Sequence, residues 1–420
     1  MARRDRLEAG PSLATGAIVN ASRPRHVLVT GASIAGPALA YWLVRHGFEV
    51  TLVERAPAIR SGGYAIDIRG VAIDVVERMG ILPAARAEHV ATSRVTFVNA
   101  AGRPVASVKP EALGAADGTR HVELARGALT SLLFDLVRDK VDCRFGDAIA
   151  ALSQEPDGVE VDFRSGARGR FDFVVSGEGL HSTTREMVFG PEATFSRYLG
   201  YCFAICELPN TYGLNREAVV FNKPGKAAIL YSTTDGPTLF AMFAYRRPAP
   251  SPEEFADLAL QREAIAQAYA GDGWEVPGMI AGMRAADDVY LDATLQIRMP
   301  AWSKGRVAVL GDAAFGPSFF TGQGTSMALV GAYLLAGALA THADHALAFI
   351  AYEAMARPYM AANQALVKEG STAIAPGSAA GLWARNTLIR LAPLAKRLGL
   401  FNPASLKAYE ALKLPDFAGA

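Results

Sequence analysis

The first residues with the types and spacing for chemistry are Gly31-Ala-Ser33-Ile34-Ala35-Gly36, followed by Pro37 and, after a further apolar run, by Glu54 and Arg55. Glycine at the ends of such a turn lets the backbone approach a ligand closely. The unpaired N–H groups of the helix that follows carry partial positive charge suited to a pyrophosphate. Gly31-x-Ser33-x-x-Gly36 stands where a dinucleotide fingerprint has G-x-G-x-x-G, with Ser33 a small replacement for the middle glycine. Glu54, ending the next strand, is placed to accept hydrogen bonds from an adenosine ribose. Loose glycine patterns also occur in ordinary strand–helix turns. Strand, turn, helix, strand and acid in one register favour the dinucleotide site. This stretch alone does not separate NAD from FAD.

A second group of residues makes that separation. Late in the chain, Gly311-Asp312-Ala313-Ala314 follows an apolar run, and the loop Phe315 to Thr321 leads to Gly322-Gln323-Gly324. An NAD site needs no such element. A flavin's ribityl chain needs an acceptor, and an acid at a strand end suits it. The helix opened by Gly322 and Gly324 can aim its N-terminal dipole at the isoalloxazine ring and stabilise negative charge there.

The elements that must position these groups are legible around them. His26 to Thr30 and Val50 to Val53 read as buried parallel strands, with Pro37 in the first turn of the helix between them and Gly47 as its cap. A helix over Val71 to Met79, a hairpin over Arg94 to Val108 and a helix beginning near Arg126 follow. Residues 143 to 175 read as a β-meander leading into a core strand over Phe171 to Val175. Strands over 203–208, 218–221, 228–232 and 239–245 then mark a second, sheet-rich unit, with a helical patch from Pro252 to Ala270. Its Tyr231, Phe243 and Tyr245, with Tyr64 from the first unit, are pocket candidates. For any one of them, a plain core aromatic is the more ordinary reading. Val307 to Leu310 returns to the first pattern, and Met327 to Ala340 is a buried helix too short for a bilayer.

The fold class is therefore α/β: a discontinuous Rossmann-like dinucleotide domain, a β-sheet substrate domain and C-terminal helices. The division is 1–25 as a disordered leader; 26–90, 116–190 and 290–340 as the FAD-binding domain; 91–115 and 191–289 as the substrate sheet; and 341–420 as a helical region, in which Leu382 to Phe401 is amphipathic and docked. With 420 residues, 51% hydrophobic, 20% charged and a net charge of +1, the balance argues against nucleic acid as a partner. No signal peptide or membrane span is read. Cys143, Cys202 and Cys206 read as buried thiols of a reducing cytoplasm.

The set GASIAG, Glu54-Arg55, Arg126, Glu178-Gly179, GDAA and GQG resembles the family A flavin monooxygenases of the para-hydroxybenzoate hydroxylase type. Within them it is similar to the tetracycline-inactivating monooxygenases and the actinobacterial polyketide hydroxylases. The resemblance runs from about residue 25 to about residue 375, and its motifs are specific in combination. It implies FAD, reduced by NADPH or NADH, with O₂ adding at the flavin C4a carbon and the hydroperoxide hydroxylating an aromatic or polyketide substrate. It implies that Gly31, Ser33, Ile34, Ala35 and Gly36 meet the pyrophosphate, Glu54 and Arg55 the adenosine half, and Arg126 the phosphate–ribityl region. Gly311 and Asp312 would hold the ribityl chain, and Gly322 and Gly324 the ring. No catalytic acid or base and no metal ligand is implied, and the assembly would be a monomer or homodimer.

Three positions depart from the family. Glu178 stands where it has Asp, in a motif that touches both FAD and NADPH. Phe315 stands where GDAA is followed by His, and Phe319 stands where the loop has proline, with Pro317 upstream. The loop from Phe315 to Thr321 is expected against the flavin, with Phe319 as a pocket residue. His181 is read as a solvent-facing turn histidine. No Ser-His-Asp set, zinc spacing, carboxylate pair or W-x-W-x-I-P signature competes. Two rival readings keep the fold and lose oxygenation: a flavin-holding cyclase and an FAD-linked dehydrogenase.

Overall fold

The computed structural model describes residues 23–59, 63–109, 120–251, 253–254, 257–397 and 404–417. Most of the expected leader lies outside these residues. Its last member, Arg25, is docked: it donates to the carbonyls of Leu339 (2.6 Å) and His342 (3.3 Å), capping a helix end, and lies over the Phe48 ring.

The β-branched runs form a six-stranded sheet in the order Ser303–Lys304, Val307–Val309, Phe173–Ser176, His26–Thr30, Glu49–Glu54, Asp142–Phe145. All neighbours are parallel except the first pair. Alternation splits the strands between two cores. Val27 and Val29 face helices Ala35–Arg45 and Gly324–Thr341, which pack on each other. Leu28, Val53 and Val174 face the antiparallel sheet Ile149–Glu155, Gly158–Phe163, Arg168–Phe171. Phe171 thus belongs to the meander and the core strand starts at Phe173, because a bend at Asp172 carries the chain from one sheet into the other. Asp142–Phe145, read as part of the meander, is the outer core strand. Helix Gly324–Thr341 is long and apolar enough to cross a membrane, yet 78% of it is buried inside the protein. It is the central helix of the core.

The second sheet has seven strands in the order Val289–Ile297, Ser196–Pro209, Thr238–Arg246, Lys226–Tyr231, Glu217–Lys223, Arg94–Val98, Pro104–Val108. The hairpin over Arg94 to Val108 therefore joins it through a parallel pairing with Glu217–Lys223. Val289–Ile297 pairs antiparallel with Ser196–Pro209, so residues 290–297, assigned to the FAD-binding stretch, are the sheet's edge strand. One face carries Phe97, Phe203, Ile205, Ile229 and Met242 toward Tyr64, Phe319 and Phe320. The other carries Cys206, Phe221 and Phe243 under helices Leu258–Ala268 and Val276–Ala285. The first helix is capped by the Asp257 carboxylate, and within the patch read from Pro252 the residues Glu253 and Glu254 are also helical. Of the thiols, Cys202 and Cys206 are buried and Cys143 is half-buried at the outer core strand.

The C-terminal helices close the molecule. Val367–Ile374 packs on the turn Phe319–Thr321 so closely that a Cβ on Gly370 would stand 1.7 Å from the Phe320 carbonyl oxygen. Ala379–Arg397 docks on the hairpin through Ile389 and Arg385, whose guanidinium lies 4.2 Å from the Phe97 ring centroid. The last described stretch then returns to the first unit as a strap. Glu410 pairs with Arg120, the Pro415 carbonyl accepts from the Tyr333 hydroxyl (2.6 Å), and Phe417 lies on Tyr333 and Gly337.

Candidate flavin and substrate site

The dinucleotide turn is fixed by close backbone approach. Gly31 has φ +92°, and a Cβ there would meet the Gly177 carbonyl oxygen at 2.6 Å. A Cβ on Gly36 would stand 1.9 Å from the Gly31 carbonyl oxygen, so only glycine lets helix and strand meet. Helix Ala35–Arg45 starts at Ile34 with no side-chain cap and no acid in its first turn, which leaves its positive end open. Glu54 is held at the strand end by the backbone N–H groups of Ala32 (2.7 Å) and Ala56 (2.9 Å). Arg55 beside it is exposed. Ser33 accepts from Arg126 at 2.9 Å, so the helix Arg126–Asp135 brings its first residue onto the turn.

Asp312 opens the short helix Asp312–Phe315 behind Gly311, and its Oδ1 lies 3.4 Å from where a Gly324 Cβ would stand. Burial pushes its carboxyl up from the ordinary range, Arg126 pulls it down, and Asp292 pushes it up again. Its carboxylate accepts no hydrogen bond from any described residue. Nearby, the Ser318 hydroxyl and the Gln323 Oε1 are buried without partners among the described residues, and Ser318 sits at φ +84°. Gly322 adopts the left-handed conformation and helix Gly324–Thr341 begins uncapped. Unsatisfied acceptors beside open helix starts fit a ligand with hydroxyls and ring N–H groups, as FAD has.

Across from Asp312 stands an aromatic wall. Phe319 stacks on Phe203 with centroids 4.6 Å apart and planes 15° apart. Tyr290 lies 5.7 Å from Phe203 and 6.2 Å from Tyr64, whose carbonyl accepts from the Arg126 N–H. Tyr231 stacks on Phe240 and is half-buried on the same face. Phe243 does not join them. It is fully buried on the opposite face against Tyr269, because residue alternation turns it away from the first unit. Tyr245 falls on that far face too. Within the loop, Phe315 points into the core beside Trp302 and Gly331 rather than into the cleft.

A family model for an FAD binding domain matches residues 25–363. A flavin-dependent monooxygenase of an unknown prokaryotic organism is 39% identical over 396 residues, covering 94% of this chain and 99% of its own length. The chain belongs to the FAD-dependent monooxygenases. The crystal structure of tetracycline destructase Tet(55) matches with a TM-score of 0.81 at 37% identity, covering 94% of this chain and 99% of that one. The flavin-dependent monooxygenase eupH of a Phoma species is 35% identical over 327 residues, covering 74% of this chain and 76% of its own length.

In this monooxygenase the Glu178 carboxylate is consumed locally. It accepts from the Ser182 and Thr184 hydroxyls (2.8 and 2.6 Å) and from the Thr184 N–H (3.0 Å). His181 is more than the solvent-facing turn residue expected. Its Nδ1 lies 3.1 Å from Glu192 and its Nε2 3.5 Å from Asp292, and the two acids raise its pKa to about 10. Glu192 also pairs with the buried Arg185, which donates to the Ala313 carbonyl next to Asp312. Tyr290 and Asp292 escaped the sequence reading. Their signal was the strict alternation of Val289, Leu291, Ala293, Leu295 and Ile297, broken visually by the polar residues between.

Proposed function

We propose that this FAD-dependent monooxygenase uses NAD(P)H and O₂ to hydroxylate an aromatic or polyketide-type small molecule, as a cytoplasmic enzyme of natural-product biosynthesis or antibiotic modification. The single observation that carries the reading is the Asp312 carboxylate, which accepts no hydrogen bond from any described residue and lies near Tyr64 of the aromatic wall. When bound there, FAD supplies the redox and oxygen-activating chemistry. The chain's own residues hold and enclose. Gly31, Ser33, Ile34, Ala35 and Gly36 take the pyrophosphate, Glu54 and Arg55 the adenosine half, Arg126 and Asp312 the ribityl region, and the Gly322-Gln323-Gly324 turn the ring. Phe319, Phe203, Tyr64 and Tyr231 exclude water over the reacting face. Residues 298–340 complete the FAD-binding unit, and the sheet through Ile297 carries the substrate. The likeness to the tetracycline destructase Tet(55) favours a polycyclic, oxygen-rich substrate.

The test is purified holoenzyme screened for NADPH oxidation and oxygen uptake against tetracycline and simpler phenols. Substrate-stimulated consumption of both supports hydroxylation. Reduction of an artificial acceptor without oxygen uptake would replace it by an FAD-linked dehydrogenase, and a flavin silent toward both would replace it by a flavin-holding cyclase.

A further inference from the structure

Tyr290 and Asp292 sit two residues apart on the edge strand and so share the face turned to the cleft. The Tyr290 hydroxyl donates to Asp292 Oδ2 at 2.9 Å. The other carboxylate oxygen accepts from the Ala293 N–H at 2.7 Å and faces His181. Asp292 is 6% exposed, and a buried carboxylate survives only with such partners. Both Asp292 oxygens are thus placed as acceptors, Oδ2 toward the Tyr290 hydroxyl and Oδ1 toward the Ala293 N–H, with His181 Nε2 3.5 Å from Oδ1. A phenol has one proton. Tyr290 gives its proton to Asp292, so its oxygen has only lone pairs left for a ligand. The ring meanwhile stays 37% exposed between Tyr64 and Phe203, where an aromatic ligand would lie.

We infer that Tyr290 is a specificity-determining residue that accepts a hydrogen bond from a phenolic or enolic hydroxyl of the substrate. It selects such compounds over their methyl ethers and ketones, which offer no proton. Asp292 acts through it as a positioning residue, and His181 acts through Asp292. The inference rests on the proposed aromatic substrate class and adds the polarity of one contact. A purely structural strut between the edge strand and the Glu178 turn would affect stability and leave ligand preference alone.

The experiment reads binding without NADPH, from the visible spectrum of the bound flavin titrated with 1-naphthol and with 1-methoxynaphthalene. The parent should bind the naphthol roughly tenfold more tightly, the scale of one hydrogen bond. Tyr290→Phe should bring the ratio near one. Asp292→Asn, whose amide can donate to the tyrosine oxygen and release its proton into the cleft, should shift preference toward the ether. If Asp292→Asn fails to fold, Tyr290→Phe decides alone. A parent that binds the pair equally or not at all, or folded variants with the parent's ratio, overturns the inference. Discrimination in binding with no NADPH or oxygen consumption on 1-naphthol, tetracycline or the simpler phenols would sink the hydroxylation reading and leave this one standing.

Discussion

Single residues divide here into those fixed by backbone approach and those fixed by a missing partner. Gly36→Ala belongs to the first kind: a methyl 1.9 Å from a carbonyl oxygen forces helix and strand apart, and the variant should purify without flavin or fail to fold. Asp312→Ala belongs to the second. It removes an acceptor that no described residue satisfies, so FAD affinity should fall by about 1–3 kcal/mol while the apoprotein's melting temperature holds. Equal FAD dissociation constants for parent and variant would refute the assignment. His181 gives a pH signature. Its folded-state pKa is raised to about 10 from an ordinary 6.5 by Asp292 and Glu192, with burial opposing. The stabilisation is fully present below pH 6.5 and lost as pH rises through 10. The melting-temperature gap between parent and His181→Gln should therefore be widest near pH 6 and close toward pH 10. The glycines and Asp312 were readable because spacing alone reports them. Asp292 and Tyr290 were not, since alternation can mark their strand but not the His181 and Glu192 contacts from a distant segment that give the pair its setting.

Elements tell a similar story with a different division. The strands around Gly31 and the helix from Gly324 follow from apolar runs and their breaks. The orientation of the loop between Asp312 and Gly322 does not, because it depends on what packs behind it. Phe315 turns inward beside Trp302, whereas Phe319 is pinned on Phe203 and faces the cleft. Phe319→Ala should raise the hydrogen peroxide released per NADPH consumed, by opening the cleft to water. An unchanged yield with a lowered melting temperature would make Phe319 a packing residue only. The strap is the least legible element, as its contacts lie on a surface formed by distant segments. Phe417→Ala, which strips a half-buried ring from Tyr333 and Gly337, should cost on the order of 1 kcal/mol in thermal or denaturant unfolding.

At the scale of the whole molecule, the two sheets were legible as two styles of strand, continuous apolar and alternating. Which strand lies beside which was not, since long-range pairing is a property of the closed chain. The core sheet takes Val307–Val309 next to Phe173–Ser176, and helix Gly324–Thr341 lies against Ala35–Arg45. This interleaving sets an order of events during synthesis. A ribosome adding about 5–20 residues per second makes Asp312 roughly 15–60 s after Gly31. By then the seven-stranded sheet has all its strands, the last ending at Ile297. The sheet can therefore close while the dinucleotide turn still lacks the helix that covers it and the acid that faces it. Cofactor capture is consequently a late step, made by chains extended past the helix at Thr341. Ribosome-bound chains halted near residue 300 should hold no FAD, and chains halted well beyond the strap should hold it; flavin fluorescence on isolated stalled complexes measures the difference.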